Sequence, residues 1–514
     1  MENVRNKHRE KPWSEFLKVV RYTMDKHTGT GNIGESLCVC SLKTLQKALN
    51  VASLSAMVDR LELLARENGL CSHLSATGTE CYITSDLFYL EVQLKPSGEV
   101  QDVKVAHLGE NPESCQVLLQ SLRQKDFAEF TKHLKRLTDL YDFSGNRKVE
   151  TNIYSALKSL EIDLNTMSVL NRRVRNAGTL CTILCGSVGY LTPRCGSSLM
   201  SLEYYISPYE LLGQGLNSPS ESRSPGMKVL VTVERTAALN QLQIAPIVEF
   251  EPVTDGIPLF QSLTDGNSAE LSACFLLKFP RPFPMICSLI QKIQRYTGIS
   301  IQTDTQKAPL HGLIAQALLS ERNITTNPWE SMCFFVSLPG EEQHCYMLNK
   351  DSTKPGALVS KIPFSHPKQV PEILEVLRHQ AACNTLISSF IRETVTVEDY
   401  SECLHFEIYS LSDTCISFTL KHPTDESLVC VVMDVVSSRE IICQLMMKSS
   451  AACVCSDAHI TRVIHRSMSI PVTMRSIYKK SQTQEAAVTE ASREAPTSYI
   501  SCKCFGSLLE NHDN

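Results

Sequence analysis

The spacing of apolar residues changes near residue 178, and that change limits what the chain can fold into. Before it, apolar positions recur at helical intervals. Trp13, Phe16, Leu17, Val20 and Met24 fall at i, i+3, i+4, i+7 and i+11, one stripe on a helix of about 15 residues. Leu54, Met57, Val58, Leu61, Leu64 and Ala65 repeat the pattern, with Gly69 where a C-terminal cap belongs. Helical spacing returns at Leu118, Leu119 and Leu122, at Phe127, Phe130, Leu134 and Leu137, and from Ile153 to Leu170. One β-hairpin interrupts it. Leu90, Val92 and Leu94 alternate with polar residues, Lys95 to Gly98 turns, and Val103 and Val105 alternate again.

Beyond residue 178 short strands dominate. The pattern predicts them at Ser187–Leu191, Leu199–Ile206, Lys228–Glu234, Leu271–Lys278, Cys333–Leu338 and Cys345–Leu348. A later set is expected at Leu404–Leu411, Ile416–Leu420, Leu428–Val435 and Ile441–Met446, with helices near 285–297, 309–320, 370–392 and 456–467. These strands do not alternate one-for-one with helices. An α+β fold is therefore predicted, a helical N-terminal region with a hairpin followed by mixed antiparallel β-rich domains, rather than a doubly wound sheet. The expected division is 1–177, 178–368 with a Gly/Ser/Pro-rich loop at 213–227, 369–480, and a disordered tail at 481–514. Ser218 and Ser224, each before a proline, make that loop reachable by a proline-directed kinase.

Composition removes several function classes. Lys and Arg number 50 against 55 Asp and Glu, a net charge of −5, so no general basic footprint exists for phosphate backbones. The longest apolar run, Leu428 to Met433, is far short of the roughly 20 residues that span a bilayer. The charged start, Met1 to Lys11, has no apolar core of a signal peptide, so a soluble intracellular protein is expected. The 21 cysteines are scattered without a CxxC, and the Cys181/Cys185 pair has no second knuckle to complete a zinc site. Reduced thiols packed as small hydrophobes are expected, with no metal and no cofactor.

Motifs with chemical meaning are near misses. Gly29, Gly31 and Gly34 fit G-x-G-x-x-G, but a helix pattern precedes them where a dinucleotide site needs a strand. Read as a phosphate loop, the same stretch places Glu35 where a lysine should meet phosphate. Cys185-Gly-Ser-Val-Gly189 is one glycine short of a nucleophile elbow, and Tyr190-Leu-Thr-Pro193 cannot open the helix such an elbow requires. His459 and His465 lie six apart and would not share a helix face. No paired carboxylates have an interpretable spacing, so no enzyme is expected; the alternative is an enzyme or ligand-binding protein whose site is dispersed in sequence. Arg475, Lys479 and Lys480 read as a solvated helix end. No LxxLL segment exists. The nearest variant is Phe505-Gly-Ser-Leu508-Leu509, where Gly506 costs about 1 kcal/mol of helix propensity.

Several longer stretches carry a resemblance. They are Lys11-Pro-Trp-Ser-Glu15, Thr44 to Leu49, Ser72 to Asp86, Asp102 to His107, Gly186 to Arg194, His344 to Asp351, Ser427 to Val435 and Met468 to Arg475. In that order, from about residue 11 to 480, the chain resembles subunit 1 of the Mediator complex of RNA polymerase II. The resemblance implies a non-catalytic, nuclear coactivator subunit of the middle module. Such a subunit bridges DNA-bound activators and polymerase, contacts neighbouring Mediator subunits, and makes no sequence-specific DNA or membrane contact. Family members continue into a long tail with two LxxLL boxes, which this chain lacks. It is therefore expected to be a short paralogue or isoform with no box-type nuclear-receptor contact. Trp13, Phe16, Leu17, Val20 and Met24 are the candidate docking stripe, packing on the protein's own core or on a partner; Phe505, Leu508 and Leu509 are the box-like candidate.

Overall fold

A computed structural model of the chain describes residues 53–141, 147–175, 178–194, 196, 198–211, 226–249, 258–321, 333–340, 342–349, 354–391, 403–422, 427–447 and 455–493. The stripe Trp13 to Met24, the glycines at 29–34 and the segment Phe505 to Leu509 lie outside the described residues. The chain divides into two compact units, residues 1–146 with 194–198, and residues 147–193 with 199–514.

The first unit opens with helix α1 (Leu54–Glu67). Ser53 caps it by accepting the Ala56 N–H, and Gly69 leaves it with φ +71°. Its apolar stripe is the expected one, with Met57, Val58, Leu61, Leu64 and Ala65 buried. Strands β1 (Cys71–Leu74), β2 (Glu80–Thr84), β3 (Phe88–Leu94), β4 (Val100–His107) and β5 (Glu113–Ser114) form one antiparallel sheet in sequential order. The expected hairpin is its β3–β4 core. β1 and β2 were not legible, because β1 is largely exposed and β2 buries only Cys81 and Ile83. Helices α2 (Gln116–Arg123) and α3 (Phe127–Tyr141) complete the unit.

The second unit begins with α4 (Arg147–Arg175) and the short α5 (Thr179–Cys185). Its first sheet holds β6 (Tyr190–Thr192), β7 (Ser201–Tyr205), β8 (Met227–Gln243), β11 (Ser268–Ile286), β12 (Ala308–Pro309) and β15 (Pro355–Phe364). Their order is β12-β15-β11-β8-β7-β6, antiparallel throughout. A two-stranded ribbon, β9 (Val248–Glu249) with β10 (Leu259–Phe260), lies beside it in sequence. Strands β8 and β11 run well past their expected ends. Bulges at 236–239 and 279–282 interrupt the alternation that marks a strand, so the pattern showed only their central parts. Ser187–Leu191, read as a strand, is a turn entering β6, with a helix before it.

Helices α6 (Cys287–Thr297), α7 (Leu310–Glu321) and α8 (Gln369–Phe390) stand where helical spacing placed them. The second sheet is ordered β13-β14-β16-β17-β18-β19. Its strands are β13 (Cys333–Ser337), β14 (Gln343–Leu348), β16 (Leu404–Ser410), β17 (Cys415–Lys421), β18 (Leu428–Val435) and β19 (Ile441–Met446). Every pair is antiparallel except β14–β16, which is parallel across the intervening α8. Helices α9 (Asp457–Ser467) and α10 (Ile470–Arg493) follow. The start assigned to a tail, residue 481, falls inside α10. Arg475, Lys479 and Lys480 sit mid-helix rather than at a helix end. No described helix is long and apolar enough to cross a membrane.

Candidate functional site

The glycines of the near-elbow at Cys185–Gly189 serve the backbone. The order here is helix α5, turn, strand β6, the reverse of the strand-turn-helix that exposes a nucleophile. A Cβ on Gly186 would collide with the Thr182 carbonyl, and Gly189, at φ +66°, lies against the Glu203 carbonyl. Three carbonyls around this turn have no ladder partner, and Arg378 of α8 collects them. Its Nε donates to Tyr204 O at 3.0 Å and its Nη2 to Ile183 O at 3.1 Å and Gly186 O at 2.5 Å. Ile183 and Gly186 close α5, whose last carbonyls lack partners within the helix, although Gly186 O also accepts the Gly189 N–H at 3.1 Å. Tyr204 stands where the β7–β8 register shifts between Glu203 and Tyr205, which takes its carbonyl out of the ladder. Burial lowers the Arg378 pKa, and Glu375 at 3.4 Å offsets part of that.

Asp163 of α4 works the same way with opposite sign. Fully buried, it accepts from Gln243 Nε2 at 2.6 Å, Ile247 N at 3.1 Å and Val248 N at 2.9 Å, and so fixes the chain after β8. Burial raises its pKa despite these bonds. Sequence reasoning missed both residues, although each sits in an apolar stripe. Asp163 falls between Leu160 and Met167, and Arg378 between Leu374 and Ala381. A charge inside a buried stripe was the available signal.

Five of the described thiols are made poor nucleophiles by burial. Burial pushes Cys81, Cys274, Cys345, Cys383 and Cys443 up to about 11. Cys181 is exposed and Cys185 partly buried, and Cys195 lies outside the described residues. Among the described residues no group of three His, Cys, Asp or Glu is placed to hold a metal ion. His459 meets Ser476 of α10, whereas His465 turns to β19, so the two histidines serve different faces of α9. Arg475 pairs with Glu342 at 2.6 Å and donates to Pro339 O, which commits it to the β13–β14 turn.

What remains is surface. One face of the second sheet buries Phe406, Phe418, Val431, Met433 and Cys443. The alternate residues of β18 and β19 face outward and are unusually apolar. Leu428 is 65% exposed, Met446 53% and Ile442 44%, with Cys430 and Val432 half-buried between them. Register joins Leu428, Cys430, Val432 and Met446 into one patch, because Cys430 opposes Met446 and Val432 lies beside both, while Gln444 opposes Val432 and Asp434 opposes Ile442. Leu411, 59% exposed, stands apart from it at the β16–β17 turn, where it pairs with Cys415. Contiguous exposed apolar surface of this kind marks interaction sites more often than scattered leucines do.

A profile of the family described as Mediator of RNA polymerase II transcription subunit 1 matches residues 39–392. The protein of that name from Xenopus tropicalis is 48% identical over 506 residues, covering 95% of this chain and 32% of the relative. That of Xenopus laevis is 48% identical over 503 residues with the same coverage. The Drosophila melanogaster protein is 30% identical over 449 residues, 84% of this chain and 30% of its own length. The chain spans about a third of the length of the curated relatives it matches.

Proposed function

The chain belongs to the Mediator subunit 1 family, and from that membership we propose that it is a non-catalytic scaffold subunit of the Mediator coactivator. In this reading it works in the nucleus, docks on other middle-module subunits and bridges DNA-bound activators to RNA polymerase II. The observation that carries the reading is the 48% identity running through 95% of the chain, which includes both described units. The architecture supports it. Arg378 and Asp163 are spent on fastening backbone, five buried thiols are held neutral, and the conspicuous surface is an apolar patch. Activator contact by an LxxLL-type box is not part of the proposal, since no such segment occurs in these 514 residues.

Docking on partner subunits is assigned to the outward face of β18–β19 and to the stripe Trp13, Phe16, Leu17, Val20 and Met24. Tagged full-length chain purified from nuclear extract should bring down Mediator subunits, identified by mass spectrometry. Leu428→Glu with Met446→Glu should lose them without lowering the melting temperature, because both positions are more than half exposed. Absence of Mediator subunits from the wild-type eluate would overturn the proposal. Their retention by the double variant would move docking elsewhere, with Trp13→Ala as the next substitution to read.

A further inference from the structure

The outward face of the first unit's sheet differs in character from the patch on the second. Register aligns His73, Tyr82, Glu91 and Lys104 in one row across β1 to β4. Glu80, Gln93 and Asp102 form the row beside it. The His73 and Tyr82 rings stack with centroids 5.1 Å apart at 14°, and Tyr89 stands 6.5 Å from Tyr82 at 52°. Three carboxylates share this face with one ammonium, and that ammonium, Lys104, is already held by Glu91 at 3.3 Å. Tyr82 donates its hydroxyl to Glu80 at 3.1 Å, which fixes the ring with one side toward solvent.

Among the described residues the edge beside these rings is unpaired. β1 ends the sheet, and among the described residues no strand pairs with its outer side. The Ser75 N–H donates to Glu80 O at 2.8 Å, in phase with the His73–Tyr82 and Cys71–Thr84 pairs. Antiparallel ladders alternate, so the N–H and C=O of Ser72 and Leu74 point away from β2. Leu74 is 42% exposed. Unpaired edge groups of this kind are a template for an added strand.

We propose that the outer edge of β1 and the adjoining His73–Tyr82–Glu80 surface bind an extended, lysine- or arginine-bearing segment of a partner protein. The segment pairs its backbone with Ser72 and Leu74. Its alternate side chains fall beside His73, where a four-carbon stem reaches over the Tyr82 ring and sets its cation near Glu80 and Glu91. The ring face attracts the cation and the carboxylates neutralise it. An acidic segment would meet three like charges in the same place.

Fluorescence anisotropy with full-length chain tests this, using a labelled, capped Thr-Lys-Val-Lys-Val-Lys-Thr peptide and its counterpart with Glu for each Lys. The lysine peptide should bind at least about tenfold tighter, the preference shrinking as salt screens it. Tyr82→Ala and Ser72→Pro should each weaken binding about tenfold, whereas Tyr82→Phe, which keeps the ring, should bind as wild type. Because Ser72→Pro could disturb the sheet itself, amide exchange gives a second reading. Saturating lysine peptide should slow exchange at Ser72 and Leu74 in the unaltered chain. Equal binding of the two peptides, indifference to Tyr82→Ala, or unslowed exchange at both amides would each overturn the proposal.

Discussion

Replacing Arg378 with methionine is the sharpest test of how the second unit is held together. Methionine roughly keeps the volume and removes every donor. Tyr204 O, Ile183 O and Gly186 O then lose their shared partner inside a site where Arg378 is only 3% exposed. Tyr204 O and Ile183 O left unmade cost about 1–3 kcal/mol each, and Gly186 O, which keeps the Gly189 N–H at 3.1 Å, loses a second bond worth about 1 kcal/mol, so the gross loss is about 3–7 kcal/mol. Against this, the variant no longer buries a guanidinium, a penalty visible in its lowered pKa. Glu375, 43% exposed, returns to solvent at little expense. A net destabilisation of about 3–5 kcal/mol is expected, in line with removing one member of a buried charged network. Arg378→Lys should recover only part of it, because one ammonium cannot reproduce a planar fork serving three carbonyls. Urea unfolding of purified full-length chain, followed by tryptophan-independent circular dichroism, measures both. An Arg378→Met protein within about 1 kcal/mol of wild type would show that desolvation offsets all three bonds, and the account of the turn would fail.

Gly189→Ala should destabilise by about 3 kcal/mol or more, since it adds a Cβ against the Glu203 carbonyl at a positive φ; a melting temperature unchanged by the substitution would refute this. His344, fully buried, has its pKa lowered to about 4 by burial, so its neutral form is favoured in the fold. Its contribution is complete above the unfolded value of 6.5 and is lost as pH falls from there toward 4, about 3 kcal/mol in all. His344→Leu should flatten stability over that window relative to wild type, and parallel pH profiles would rule the assignment out. Replacing Asp457 with Ala, Thr461 with Val and His465 with Ala together should cost about 1–3 kcal/mol by loss of three partly exposed bonds. The triple variant should also self-associate in light scattering, and a monodisperse one would mean that β19 needs no seal.

Periodicity revealed the parts of the fold that one hydrophobic face dictates. The α1 stripe, the β3–β4 hairpin, and strands β16 to β19 follow directly from residues that alternate or recur toward a core. It failed where burial is not one-sided. Strand β15 buries neighbouring residues in pairs and triplets rather than every second one, so no alternation marked it, whereas β7, buried at all five positions, lies inside the strand expected at Leu199–Ile206. Helix α10 was read only as a helix end at Arg475 to Lys480, because its second half is rich in Ser, Thr, Ala and Glu, which composition reads as a tail. The exposed apolar patch was hidden for a related reason. Leu428, Val432 and Met446 sit in apolar runs whose other members are buried, and sequence alone does not tell which face of a strand is covered.

The two sheets treat their edges in opposite ways. At β19 the outward N–H groups of Leu445, Cys443 and Ile441 donate to Asp457 Oδ1 at 2.8 Å, Thr461 Oγ1 at 3.3 Å and His465 Nε2 at 3.2 Å. Four helical residues rise about 6.0 Å and two strand residues about 6.6 Å, so side chains at i, i+4 and i+8 of α9 meet alternate amides of an antiparallel strand. A helix thereby finishes a sheet whose outward face is apolar, at the edge where sheet-to-sheet aggregation would otherwise start. Strand β1 has no such cover among the described residues, and its surroundings are polar and charged rather than apolar. A protein that blocks the edge beside its apolar face while leaving an open edge among carboxylates has separated two kinds of contact. The sheet sealed at β19 can bury its patch against a partner face without adding a strand at that edge, and the one ending in β1 can accept a strand selected by charge.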